Sequence, residues 1–184
     1  MVQEINKEPD MMPDGKNIDP EIRLIDVTPL EAEAFAPFGQ MIAASEDGVP
    51  FGPEDAQLEL SRGTPRFYIM RLPAKGIRFS QITRHRDVTQ CLASVGGASW
   101  LIAVAPPLDL NDPDAEPKLE DIRAFEIPGD AAIKLHQGTW HAGPFFTEPE
   151  MSFFNLELAD TNQVDHHNCY LDRRYGTVFE FRRS

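Results

Sequence analysis

The sequence predicts a mainly-β, barrel-like fold for this chain of 184 residues. Two observations carry that expectation. Short β-like runs recur between turn residues, with 16 prolines and 12 glycines as punctuation. Only one segment has a helical pattern, whereas an α/β sheet would need a helical crossover after nearly every strand.

Taken in order, residues 1–20 read as a flexible N-terminal tail, broken by Pro9, Pro13 and Pro20 and poor in large apolar side chains. Residues 21–184 read as one domain. RLIDV (23–27) is a first strand. Thr28 then offers an N-cap, Pro29 suits the first helical position, and LEAEAFAPF forms one short helix that Gly39 ends. The runs QMIAA, RFYIMRL, IRFSQIT, VTQCLAS, WLIAVA, IRAFEI, AAIKLH, FFNLEL and TVFEF follow as strands. Gly96-Gly97 reads as a hairpin turn and Trp100 as part of a core strand. The polar, proline-rich stretch 106–121 reads as an acidic loop within the one domain.

Composition narrows the function. The net charge is −13, from 30 acidic and 17 basic residues, and such a surface repels nucleic acid and anionic membranes. No apolar run reaches the length of about eighteen residues that a membrane-spanning helix needs. The N-terminal residues carry no basic-then-apolar leader, so the expected location is the cytoplasm. Cys91 and Cys169 lie in no metal-ligand or redox spacing and read as reduced thiols.

Period-two alternation assigns faces. In 131–136, Ala131, Ile133 and Leu135 point one way and Ala132, Lys134 and His136 the other. In 153–158, Phe154, Leu156 and Leu158 share a face opposite Phe153, Asn155 and Glu157. A barrel with a polar lumen produces this pattern, and so does a sandwich with a wet outer face. Chemistry concentrates in IPGDAAIKLHQGTWHAGPFF (127–146). There a strand delivers Lys134 and His136, and the Gln137-Gly138 turn returns Trp140 and His141, so the two imidazoles are expected at one rim. His166-His167 reads as a surface loop pair whose side chains diverge.

Gly138-Thr139-Trp140-His141, after the Pro-Gly strand, is similar to the second motif of cupins. The longer segment IRAFEIPGDAAIKLHQGTWHAGP resembles the ureidoglycolate lyase (ureidoglycolate hydrolase) family. There an Arg-Ala-Phe strand, here Arg123-Ala124-Phe125, leads to a His-x-x-x-Trp-His signature, here His136, Trp140 and His141. The likeness extends to TRHRDVTQCLAS (83–94) and to Phe154–Glu157, and spans roughly residues 22–170. It implies a cupin-type double-stranded β-helix barrel with one short N-terminal helix, acting as a homodimer in purine and allantoin nitrogen catabolism. Ser80, Gln81 and Thr83 stand where the family often carries a further histidine and acidic residues.

The implied reaction is carbon–nitrogen lysis of ureidoglycolate to glyoxylate and urea. It needs a base for the hydroxyl proton, an acid for the departing nitrogen and a cation for the carboxylate. His136 and His141 are the expected acid/base pair, with His85 close by and Glu157 as orienter. Lys134, Arg66 or Arg84 would hold the carboxylate. Gln90, Asn155 and Trp140 complete the substrate-binding set. No cofactor is required in this reading. A divalent metal on His85, His136, His141 and Glu157 is the alternative for the same residues. A non-catalytic cupin that binds a small acid is a third reading, of a different class.

Overall fold

The computed structural model describes residues 19–183. The expected tail therefore lies, apart from Asp19 and Pro20, outside the described residues. Strand β1 spans Glu21–Pro29 and helix α1 Ala32–Phe35, followed by β2 (Gly39–Ile42), β3 (Pro65–Pro73), β4 (Arg78–Phe79), β5 (Gln81–Arg84), β6 (Gln90–Ser94) and β7 (Trp100–Ala105). After a 3-10 turn at Leu119–Asp121 come β8 (Arg123–Ile127), β9 (Ala132–Leu135), β10 (Trp140–Phe145) and β11 (Glu150–Leu158). Helix α2 (Thr161–Val164), β12 (His167–Tyr170), α3 (Leu171–Tyr175) and β13 (Thr177–Arg182) complete the chain.

The strands form two sheets, ordered β12-β5-β10-β7-β8-β1-β13-β4 and β2-β9-β6-β11-β3. Segments from both sides of the 106–121 loop alternate within each sheet. This is the mainly-β cupin barrel the sequence predicts. One apolar cluster, with Trp100, Ile102, Val104, Phe125, Ile133, Leu135 and Phe153, fills one end between the sheets. A second, with Ile82, Leu101, Ala103, Trp140, Phe145, Phe179 and Phe181, packs the outer face of the larger sheet, where β1, β13 and β4 wrap over it. The remaining space between the sheets is polar.

Several local expectations change. The helix is one turn, because β1 runs on through Thr28 and Pro29 to pair with β8, and Glu31 stands at the cap. Gly96 and Gly97, at φ +95° and +80°, carry the chain from one sheet to the other rather than closing a hairpin. β10 continues through Gly143-Pro144, with its register against β7 shifting between Ala142 and Phe145. A bulge accommodates residues that would otherwise break a strand. His167 belongs to β12, an edge strand paired with β5, and not to a loop.

The acidic loop is fastened by arginines. Arg84 is fully buried, with its guanidinium 4.9 Å from the centre of the Trp140 ring. Its Nε donates to His167 Nδ1 (3.0 Å), and its terminal nitrogens donate to the carbonyls of Asp109 (3.3 Å) and Asp112 (2.6 Å). Arg86 donates to the Leu110 carbonyl at 3.1 Å. Bonds from a charged donor each contribute about 1.5–3 kcal/mol. Arg84→Met keeps the apolar stem and removes the donors. We expect it to lower stability by about 2–3 kcal/mol in urea denaturation and to open the 106–121 loop to proteolysis.

Candidate active site

Alternation builds a cavity from both sheets. On β11, Phe153, Asn155 and Glu157 face inward, and on the neighbouring β3 so do Tyr68, Met70 and Leu72. Gln90 and Leu92 point inward from β6. The facing sheet contributes Thr83, His85 just beyond β5, and His141 on β10, whose register partners are Thr83 and Val104. Asn162 and His166 close the side, and Lys75 and Arg78 join the lining. The cavity, open on one side, has a volume of about 440 Å³, enough for a small metabolite.

One wall is a hydrogen-bonded carboxylate cluster. Glu157, 1% exposed, accepts from Tyr68 Oη (3.1 Å), Gln90 Nε2 (3.0 Å) and Asn162 Nδ2 (3.4 Å). Asn155 Nδ2 donates to Tyr68 Oη at 3.0 Å, and Gln90 Nε2 also reaches Asn155 Oδ1 at 3.2 Å. Gln90 Oε1 is left without a partner among the described residues. Burial, and then the Glu157 charge, raise the Tyr68 hydroxyl, so it remains a donor.

The opposite wall is imidazole. His85 Nδ1 lies 2.5 Å from the Asp165 carbonyl, and His141 Nδ1 lies 3.1 Å from that of Thr139. A carbonyl only accepts, so both rings carry a proton on Nδ1, which leaves Nε2 of His141 as a lone-pair acceptor. The Asp165 carboxylate accepts the backbone N–H groups of Arg86 (2.8 Å) and Asp87 (2.7 Å), which fixes the segment that carries His85. The His85 ring lies 5.1 Å from that of His141 and 5.5 Å from that of His166. Burial, with His85 adding to it, pushes His141 down to about 3, so it is neutral at physiological pH.

The structure brings His85, His141, Glu157, Gln90 and Asn155 together and places the other expected residues elsewhere. Ile133 and Leu135 of β9 point inward, so Lys134 and His136 project from the opposite face into a separate groove. His136 and His141 thus do not share a rim. His136 follows β9 of the smaller sheet and His141 stands on β10 of the larger, and the packing void they both touch has no room for a water molecule. Arg84 is committed to the acidic loop, and Trp140 is core packing beneath it. Arg66 is exposed, its guanidinium 3.7 Å from the centre of the Tyr68 ring. Burial raises Cys91, on the outer face, and the core thiol Cys169 each to about 11, so both remain thiols.

Among the described residues, no three of His, Cys, Asp and Glu converge to hold a metal ion, and the set His85, His136, His141 and Glu157 is divided by the direction of His136. Sequence reasoning missed Tyr68, Asn162 and the inward role of His166. Tyr68 was recoverable from the alternation of β3. His166 was not, since its direction depends on how the α2 segment folds back over His85.

A family model described as ureidoglycolate lyase matches residues 51–177. The chain belongs to the ureidoglycolate lyase family. A protein named ureidoglycolate lyase from Pseudomonas fluorescens strain Pf-5 is 29% identical over 173 residues, covering 83% of this chain and 96% of the relative. Another of that name, from Pseudomonas aeruginosa strain LESB58, is 27% identical over 160 residues, with 79% and 90% covered. A third, from Azotobacter vinelandii, is 26% identical over 132 residues, with 65% and 76% covered. The cavity residues from Tyr68 to His166 all fall inside the family match. Gln81 and Thr83 both donate to Asn168 Oδ1, at 2.7 and 2.6 Å. They tie β5 to β12 at the cavity wall.

Histidine burial also sets a pH dependence. His136, His141, His166 and His167 are all lowered from 6.5, with burial the largest cause in each. An unfolded chain takes up protons at these positions near 6.5, whereas folded His141 resists until about 3. Unfolding therefore absorbs protons, and stability falls as pH drops below 6.5. We expect urea midpoints to decline between pH 7 and pH 5, and His141→Gln to make that decline shallower.

Proposed function

We propose that this protein is a carbon–nitrogen lyase that cleaves ureidoglycolate to glyoxylate and urea, a cytoplasmic step of purine nitrogen breakdown. The observation that carries the reading is the cavity's polarity. Two imidazoles held through Nδ1 line the same cavity as a hydrogen-bonded carboxylate, Glu157, whose oxygens are acceptors. A ureido group is rich in N–H donors, and a carbinol offers one acidic hydroxyl proton, so the substrate's two ends match the two walls.

In this mechanism Glu157 accepts the ureido N–H groups, and Gln90 and Asn155 orient them. Lys75 attracts the carboxylate at the cavity mouth. Neutral His141 accepts a hydrogen bond from the N–H next to the carbinol carbon, so that the hydroxyl points toward His85. His85 Nε2 removes the hydroxyl proton, the oxygen lone pair becomes the aldehyde C=O, and the C–N pair leaves with the urea nitrogen. His85 returns the proton to that nitrogen, so no net proton is gained or lost. The Asp165 carbonyl on Nδ1 stabilises the transient imidazolium. These steps use side chains alone and call for no metal.

A homodimer also belongs to this reading. Phe67, Ile69 and Phe154 form an outward apolar patch on β3 and β11, 68%, 56% and 38% exposed, and β3 is a sheet edge. A second copy covering that face would bury both the patch and the edge. We expect light scattering to give a dimer mass, with Phe67→Glu giving a monomer. A monomeric wild type would contradict it.

Ureidoglycolate turnover tests the chemistry. We expect glyoxylate and urea in equal amounts, from chelator-treated protein as well as untreated. General acid–base catalysis typically contributes 10²–10⁴-fold, so His85→Ala should lower kcat by at least about 10²-fold. Glu157→Gln should act mainly on KM. Stabilisation by glyoxylate without turnover would instead favour a binding protein. Loss on chelation, restored by a divalent ion, would move the chemistry to a metal.

A further inference from the structure

Lys134 and His136 are left outside the central cavity, and together they make a second arrangement of a chemical kind. Lys134 is 2% exposed, and among the described residues no carboxylate lies within ion-pair distance of it. Its Nζ lies 2.8 Å from His136 Nδ1. His136 Nε2 lies 3.2 Å from the Ala36 carbonyl, which can only accept. The imidazole proton is therefore on Nε2, and Nδ1 is an acceptor aimed at the lysine nitrogen.

The pair lines a groove of about 430 Å³ on the outer side of the smaller sheet, walled by Phe51, Gln57, Leu58, Thr89 and Gln137. Glu59 lies at the same groove, where its Oε1 accepts from the N–H and hydroxyl of Ser61 and it makes no ion pair with Lys134. Cys91, the cross-strand neighbour of Lys134, is held as a thiol by burial. Burial lowers Lys134 and His136 alike, and among the described residues no ion pair holds the ammonium form. A buried amine without a counter-ion, beside a neutral imidazole acceptor and open to a groove, is the usual setting of a nucleophilic lysine.

We propose that Lys134 is a reactive amine that captures small aldehydes in this groove as a Schiff base, with His136 as its proton relay. The Lys134 nitrogen lone pair attacks the carbonyl carbon, and the C=O π pair moves to oxygen. His136 Nδ1 takes the proton that the new C–N bond makes acidic and passes it to the alkoxide oxygen, giving a neutral carbinolamine. A second transfer through His136, of the remaining N–H proton to the hydroxyl, expels water and forms the C=N bond, so amine plus aldehyde gives imine plus water. The Ala36 carbonyl on Nε2–H supports the transient imidazolium. Phe51 and Leu58 cover the apolar side of such a ligand, and the Gln57 and Gln137 amides meet its polar end. This site is independent of any turnover in the central cavity.

The test uses the full chain and glycolaldehyde with cyanoborohydride, which converts an imine to a stable hydroxyethyl-lysine that peptide mass spectrometry locates. At neutral pH, Lys134 should label at least about tenfold faster than the exposed Lys75 and Lys118. Labelling of Lys134 no faster than those two would overturn the proposal, and this comparison needs no variant. His136→Gln, checked for folding by circular dichroism, should slow Lys134 about tenfold while leaving Lys75 and Lys118 unchanged. An unchanged Lys134 rate in that variant would overturn the role given to His136.

Discussion

Glu157 occupies an inward-facing position of a barrel strand, and a carboxylate there must be hydrogen-bonded or give up its charge. The effective cost of withdrawing an ion from water is several kcal/mol. No arginine or lysine pairs with it among the described residues, so neutral donors must do the work: Tyr68 from β3, Gln90 from β6 and Asn162 beyond the strand. That requirement places polar side chains on three neighbouring segments and keeps one end of the lumen free of the apolar packing that fills the other. It also puts the carboxylate, with Gln90 and Tyr68, in the lining of the cavity. The chemistry of the cavity follows from how one buried charge is satisfied.

Across the cavity the ordering runs through backbone carbonyls. Asp165 and Thr139 each accept from an imidazole Nδ1, and both rings thereby turn Nε2 away from the backbone. The Asp165 carboxylate holds the backbone after His85, while Arg84 and Arg86, on either side of that histidine, bind the acidic loop. The loop is thus coupled mechanically to a ring of the site without lending it a charged side chain. An acidic chain with arginines gathered near one histidine uses them as fasteners.

Much of the fold was legible because β7, β8 and β9 alternate or are continuously apolar, and turn residues bound them. β10 was hidden by Gly143-Pro144, since a bulge that tolerates such residues depends on the neighbouring β7. β12 was hidden because a short edge strand rich in His and Asn has no apolar period to read. For the site, Asn155 and Glu157 were legible as one face of β11, and His85 and His141 stood out as candidates. The position of His136 was not. His136 and His141 are five residues apart, but the turn between them carries the chain from the smaller sheet to the larger. Gly138, at φ +76° and donating to the His85 carbonyl at 2.6 Å, makes that crossing. Which face is inward on each sheet is a tertiary property, and the His-x-x-x-Trp-His spacing does not encode it.

The central claim is that the substrate meets His85 and His141, not His136. Oxalurate, which replaces the carbinol of ureidoglycolate with a carbonyl and so cannot be cleaved in the same way, tests it directly. Long-range ¹H–¹⁵N spectra of the histidine rings, recorded during an oxalurate titration, resolve each imidazole nitrogen. The account predicts that the Nε2 resonances of His85 and His141 shift together and saturate while those of His136 stay fixed. A shift confined to His136, or none at His85 and His141 at saturating oxalurate, would contradict it.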